Sequence, residues 1–542
     1  MKPQIQNPVI PGFYPDPSIV RVGADYYIVN STFEWFPGVP IHHSRDLVNW
    51  RLVGHALTRT SQLDLRGVGD SAGLWAPSLS HADGQFWLIY TNVFQTGMGR
   101  PFKDIGIYLT TATDIGGPWS EPVTLNSIGF DPSLFHDEDG RKWLVNIEWD
   151  FRKGRYRFAG IVIQEYDPVQ RRLIGPTTKI LKKANTLCEG PNLYRRDGWY
   201  YLMLAEGGTG WAHGITMARS RNLLGPYELD PQPAVLTASD DVSLPLQKAG
   251  HGELVQTQTG EWYVAHLASR PLITGVASDL DSSRKSPEGA PYAGQRCLLG
   301  RETCLQKMAW RDGWLRLEAG GTKPQVAVPA PKDLPAQPWP ALPGRDDFND
   351  ETLDVNWSSL RVPVTESWLS LKARPGWLRL CGRESQHSLF NQSLVARRLR
   401  DFCMTAETKL EFSPQHFTQG AGLICYYDTR THFYLRVSHD EEQGKVLGIV
   451  LTDDGVYDEL PVLAIHDWKG IFLRAEINRT KLQFSASPDC SSWQNIGPVL
   501  DASKLSDDYG TGLHFTGAFV GLCCQDLKDH ALVADFDYFD LK

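Results

Sequence analysis

The sequence predicts an all-β protein in two parts, a five-bladed β-propeller followed by a β-sandwich. Three observations predict it. A short phrase recurs five times, as Asp16-Pro-Ser-Ile, Ala76-Pro-Ser-Leu, Asp131-Pro-Ser-Leu, Gly190-Pro-Asn-Leu and His251-Gly-Glu-Leu, with first positions 60, 55, 59 and 61 residues apart. Each copy runs into a polar turn with Gly or Asp and then a stretch rich in aromatic and β-branched residues, as in ADGQFWLIYTN and RDGWYYLMLAE, which is hairpin chemistry. A hairpin unit at a near-constant period is a propeller signature. Beyond a proline-rich stretch, segments such as HFYLRVSHD and IFLRAEINRTKLQFSAS alternate apolar and polar residues with no helical period, which predicts two packed sheets.

Taken in order, the five copies supply the inner hairpins of five blades. A second repeat, SRDLVNWRLVG near residue 44, TATDIGGPWSEPV near 111 and ARSRNLLGPYELD near 218, carries a polar turn and then an aromatic residue, and reads as the connections between blades. Strand and turn signals continue to about residue 320, where GRETCLQ and MAWRDGWLRL can complete the fifth blade. Seven prolines then fall between Pro324 and Pro343, a composition that favours extended backbone without secondary structure. The boundaries expected are 1–320 for the propeller, 321–344 for the linker and 345–542 for the sandwich.

With 54 basic and 63 acidic side chains the 542-residue chain carries a net charge of −9 and no polybasic block. Nucleic acid and anionic membrane surfaces are therefore not expected partners. The first residues lack the features of a signal peptide, and no run of about eighteen apolar residues occurs. Nine cysteines without paired metal spacing suggest reduced thiols, so a cytoplasmic location is expected.

Equivalent positions of successive blades lie at equivalent places around one axis. If the first strand of each blade lines the channel, Asp16, Asp131 and the Glu189 beside Gly190 converge at one mouth. Proline follows Asp16 and Asp131, and disfavours helical backbone at the preceding residue, so both carboxylates are expected on extended backbone. A lone Asp-Pro is ordinary turn chemistry; two in phase with a fivefold repeat, plus an in-phase Glu, are not. Crowded carboxyl groups raise one another's pKa, so one can stay protonated while another stays ionised. Glycoside hydrolysis needs that division of labour.

The motifs PGFYPDPS, LWAPSL, GFDPSLFHDEDG, CEGPNLYRRDGWYYL, AGHGEL and GRET resemble glycoside hydrolase family 43, specifically its β-xylosidases with a C-terminal concanavalin A-like sandwich, across essentially the whole chain. The resemblance implies an inverting mechanism with Asp16 as general base, Glu189 as general acid, and Asp131 orienting Glu189 and keeping its pKa high. It also implies a sugar pocket walled by Phe33, Trp75 and Trp149, with Arg301 on the substrate's hydroxyls. Phe515, in the stretch Gly512 to Phe519, would reach in from the sandwich.

In family members the histidine equivalent to His251 lies beneath the pocket, and in some it helps to place a water-coordinated calcium. A structural histidine is an equal reading, so no metal ligand is assigned and no cofactor is required. The activity implied is exo-acting β-1,4-xylosidase on short xylo-oligosaccharides with side activity on α-L-arabinofuranosides, in a dimer or tetramer. Two alternatives are an enzyme acting mainly on arabinofuranosides and a carbohydrate-binding propeller without catalysis.

Overall fold

The computed structural model describes residues 3–96, 101–274 and 294–542. Five antiparallel sheets follow one another along the first part of the chain, each with four strands laid side by side in chain order; the fourth sheet carries one short extra strand. Their innermost strands are Ser18–Val22, Gly73–Ala82, Ser133–His136, Cys188–Arg196 and Gln247–Gln256. These are the five predicted blades. The inner hairpins turn where the sequence indicates: Ala82 pairs with Gln85 and Arg196 with Trp199, across Asp83-Gly84 and Asp197-Gly198, all four at positive φ. Two residues of positive φ make the primed turn that matches strand twist, and Asp-Gly is a favoured pair there.

Hydrogen bonds tie the blades together around the axis. The Ser18 hydroxyl accepts from Leu79 N, the Ser133 hydroxyl donates to Pro191 O, Asn192 donates to Gly252 O, and Glu253 accepts from Ile19 N. The last of these joins blade five to blade one. In four of the five copies, then, the third residue of the repeated phrase bonds one blade to the next.

The second repeat does not connect blades. Each copy joins the third strand of a blade to its own fourth, as between Gly38–Ser44 and Arg51–Leu57 in blade one and between Asp104–Ala112 and Val123–Thr124 in blade two. A polar turn followed by an aromatic residue marks any hairpin, inner or outer, so the pattern could not distinguish them. The proline-rich stretch also differs from expectation: Ala327–Pro329 is a strand, paired with Gln4–Gln6. Beside it, Asn7 donates to Leu305 O and Gln325 O and accepts from Leu305 N, fastening the N-terminal segment to blade five.

From residue 345 onward two large antiparallel sheets stack face to face around an apolar core that includes Trp357, Leu423, Leu473 and Phe539. One of these sheets continues into the propeller, because Trp35 and Phe36 pair with Leu360 and Ser359. Trp35 stacks on Phe519 at 3.8 Å and meets Tyr426 edge-on. A single buried apolar cluster runs from blades one to four into the sandwich. Burying a large apolar side chain contributes about 1.5–3 kcal/mol, so a continuous seam of this kind holds the two parts in fixed register.

Candidate active site

The five first positions of the repeat share one backbone conformation, and it is not the extended one expected. Asp16, Ala76, Asp131, Gly190 and His251 all lie at left-handed φ, 50°, 36°, 51°, 55° and 45°. The chain bends sharply where each inner strand reaches the axis, and in blades two, four and five strand pairing is irregular over the same stretch. Following proline removes helical backbone but does not exclude this bend. Four of the five are non-glycine residues held in a sparsely populated region, which costs on the order of 1–3 kcal/mol each and is met where surrounding structure over-determines the geometry.

The bend aims three carboxyl groups at one place. Asp16 Oδ2 accepts from the Ser31 hydroxyl at 2.6 Å, and Oδ1 accepts from Arg301 at 3.1 Å, with His251 Nδ1 3.5 Å away. Burial alone would raise the Asp16 pKa, but Arg301, His251 and the Ser31 hydroxyl together hold it below the ordinary value. Asp131 Oδ2 accepts from Gly190 N at 3.2 Å. Its pKa is pushed well up by burial, then by Glu189 and Asp16. Glu189, at the start of strand Cys188–Arg196, is raised to about 7 by burial and then by Asp16, against the opposing pull of Lys103 and Arg301. One pocket thus holds an ionised carboxylate beside a carboxyl that keeps its proton near neutrality.

Aromatic rings from both parts of the chain wall this pocket. Phe33, Trp75 and Phe515 form a triangle with ring centroids 5.6 to 6.2 Å apart. Phe130 links Trp75 to Trp149 at 5.8 and 6.0 Å. Phe33 and Leu74 exchange backbone hydrogen bonds, an approach that only glycine at 73 allows, since a Cβ there would stand 2.3 Å from Phe33 O. Arg301 donates to Asp16, to the Thr209 hydroxyl at 2.7 Å and to Phe515 O at 2.9 Å, so it connects the base-like carboxylate to the sandwich. All nine residues expected at the site lie in this one assembly.

Sequence reasoning missed several neighbours. Lys103 places its ammonium 4.5, 4.9 and 4.8 Å from the ring centroids of Trp75, Phe130 and Trp149, an attractive cation–π arrangement. Burial lowers its pKa to about 8, while Glu189 and Asp131 act the other way. It belongs to no repeat and no quoted motif, so nothing in the sequence marked it. His213 lies behind His251 and Arg301 and is lowered to about 3 by burial and then by His251. Gly250 is what makes room for it, a Cβ there lying 2.1 Å from the ring. Ser31 follows the blade-one hairpin directly and could have been found from blade geometry.

Below the carboxylates the channel, lined by Ser18, Ser78, Asn192, His251 and Glu253 among others, encloses about 20 Å³, room for about one water. Among the described residues no group of three or more His, Cys, Asp or Glu side chains is placed to hold a metal. His251 is flanked by Asp16 and the Arg301 cation. The segment 275–294, longer and more polar than a minimal blade-five loop requires, lies almost wholly outside the described residues.

A family model described as glycosyl hydrolases family 43 matches residues 5–315, and one described as beta xylosidase C-terminal concanavalin A-like domain matches residues 345–542. The chain is 45% identical over 547 residues to a xylan 1,3-beta-xylosidase of a Vibrio species, covering 100% of this chain and 99% of that protein. It is 45% identical over 557 residues to a xylosidase/arabinosidase of Humicola insolens, covering 99% and 97%. The crystal structure of a xylan beta-1,4-xylosidase from Bacillus halodurans superposes with a TM-score of 0.94 at 51% identity, covering 99% of this chain and 100% of that one.

Proposed function

The chain belongs to glycosyl hydrolase family 43, and from that premise we propose that it is an exo-acting, inverting β-1,4-xylosidase that releases xylose from the non-reducing end of short xylo-oligosaccharides, with side activity on α-L-arabinofuranosides. The observation that carries the chemistry is the opposite tuning of two carboxyl groups in one pocket, Asp16 held low and Glu189 raised to about 7.

Asp16 takes a proton from a water as that water attacks the anomeric carbon, and Glu189 gives its proton to the departing glycosidic oxygen. Asp131, bonded to the amide next to Glu189, orients the acid, and its close coupling to Glu189 means that the pair titrates together. Phe33, Trp75 and Trp149 present ring faces to the sugar, and Arg301 donates to its hydroxyls. Phe515 closes the side nearest the sandwich, which favours chain ends over internal linkages.

The catalytic unit is taken as 1–320, the linker as 321–344 and the sandwich as 345–542. None of the nine cysteines forms a disulfide, which supports a cytoplasmic enzyme. Among the described residues no helix is long and apolar enough to cross a membrane. The family resemblance extends the reading to a dimer or tetramer, which sedimentation equilibrium tests.

The decisive experiment is hydrolysis of β-1,4-xylobiose followed by proton NMR before mutarotation, with β-1,3-xylobiose in parallel because the relatives named above differ in linkage. Initial α-xylose from the 1,4-linked substrate is expected. Initial β-xylose would require a covalent nucleophile and overturn the mechanism. A preference for a nitrophenyl arabinofuranoside above tenfold over the xyloside would make arabinofuranosides the main substrates.

A further inference from the structure

Two walls of the pocket come from parts of the chain 440 residues apart, and one small residue touches both. Ser71 is almost fully buried and lies at φ 58°. Each of its three polar groups is committed. Its backbone N–H donates to Glu34 Oε2 at 3.1 Å, its carbonyl accepts from Trp75 Nε1 at 3.0 Å, and its hydroxyl accepts from Phe515 N at 2.9 Å. Trp75 belongs to blade two and Phe515 to the sandwich, and their rings meet at 5.6 Å. The other end of Phe515 is held as well, since Phe515 O accepts from Arg301.

The residue before it fastens the same segment to the sandwich. Asp70 accepts from Arg361 at 2.7 Å and from the Thr429 hydroxyl, and Arg361 N donates to Glu34 O at 2.9 Å. Glu34 therefore meets Ser71 through its side chain and Arg361 through its backbone.

We propose that Ser71 is a positioning residue for substrate recognition: its hydroxyl sets the register between the Trp75 wall of the propeller and the Phe515 wall of the sandwich, and so fixes the width of the sugar pocket. The residue bonds to none of Asp16, Asp131 and Glu189, and not to the sugar itself. Its contribution falls on substrate affinity and on discrimination between pyranoside and furanoside rings, not on proton transfer. The proposal rests on the hydrolase reading above.

The test compares Ser71→Gly with Ser71→Ala in the full chain. Ser71→Ala removes the hydroxyl alone and keeps the left-handed φ of the native residue, whereas Ser71→Gly removes the β-carbon as well and accepts that φ without strain. Loss of one hydrogen bond from a buried donor corresponds to about a tenfold effect. In both variants the Phe515 amide should exchange hydrogen about tenfold faster, KM for xylobiose should rise about tenfold, and kcat and its pH profile should stay within about twofold.

An unchanged Phe515 exchange rate, or effects on kcat that follow the melting temperature and appear in Ser71→Gly only, would overturn the proposal and leave Ser71 a merely structural residue. If the native chain cleaves no xyloside, the functional reading fails, while the exchange measurement still decides whether Ser71 holds Phe515.

Discussion

At the scale of single residues the pocket works by environment. Asp16 is buried and Glu189 half-buried, and the two carboxyl groups separate because Arg301, His251 and Ser31 converge on the first, whereas desolvation and the Asp16 charge dominate at the second. The sign of the pH dependence follows. The proposed mechanism needs Asp16 ionised and Glu189 protonated, so the rate should fall on the acid side only below the ordinary aspartate value, and on the alkaline side through about 7. Asp131→Asn keeps an acceptor for Gly190 N and removes one of the two proton-binding groups of the coupled pair, and with it the upper step of their joint titration, so the alkaline limb should move to lower pH. A pH–rate profile of kcat/KM checks all three statements. Asp16→Ala should lose nearly all activity on every substrate. Glu189→Ala should lose far more on xylobiose than on nitrophenyl xyloside, whose leaving group barely requires protonation; equal losses would remove Glu189 from the acid role.

At the scale of elements the conspicuous feature is how the ends of the propeller are joined. Each blade is closed within itself by strands taken in chain order, so the ring between blades five and one depends on contacts of another kind. Glu253 to Ile19 supplies one. The N-terminal segment supplies more, through the strand Gln4–Gln6 on Ala327–Pro329 and through Asn7 on Leu305 and Gln325. Asn7→Ala strands a buried N–H and two carbonyls, and should lower unfolding free energy by about 3 kcal/mol, measured by urea denaturation. Activity at 25 °C should persist, because Asn7 touches no residue of the pocket. The outer hairpins show the limit of pattern reading at this scale: their polar turns were legible, while the strands they join were settled by the pairing of strands in space.

At the scale of the whole molecule, the carboxylate pocket and the seam between propeller and sandwich are one structure. Phe515 and Arg301 meet across it, and Trp35 and Phe36 extend a sandwich sheet into the propeller. Glu34 lies fully buried at this seam, raised to about 8 by burial and by Asp70. A carboxyl raised in the folded state binds more protons there than in the unfolded chain. Its favourable contribution is complete below the ordinary value of 4.5 and is lost as pH rises to about 8. Thermal stability should therefore decline from pH 5 to pH 9. The slope from this one group is at most about 1.4 kcal/mol for each step of one in pH, reached where the folded chain keeps the proton and the unfolded chain has lost it. Glu34→Gln should flatten that decline. Differential scanning calorimetry at several pH values measures it; an identical slope in the variant would place the alkaline weakness elsewhere.

The sequence by itself determined the blade number, the order of the parts, the sandwich and the three carboxylates, because each rests on a periodic or local signal. Repeats at a near-constant spacing must be stacked alike, and residues at the same phase must then share a place on the axis. The wall residues Phe33, Trp75, Trp149, Arg301 and Phe515 were legible only through family motifs, since an aromatic residue in a β-rich chain is ordinarily core. What only the tertiary structure decided was the left-handed bend at every repeat origin, the Lys103 ammonium among three rings, and the Ser71 contact between Trp75 and Phe515. Those features arise from groups tens to hundreds of residues apart. No local propensity encodes which of many buried polar atoms will meet; only the packed chain brings a hydroxyl at position 71 within bonding distance of an amide at position 515.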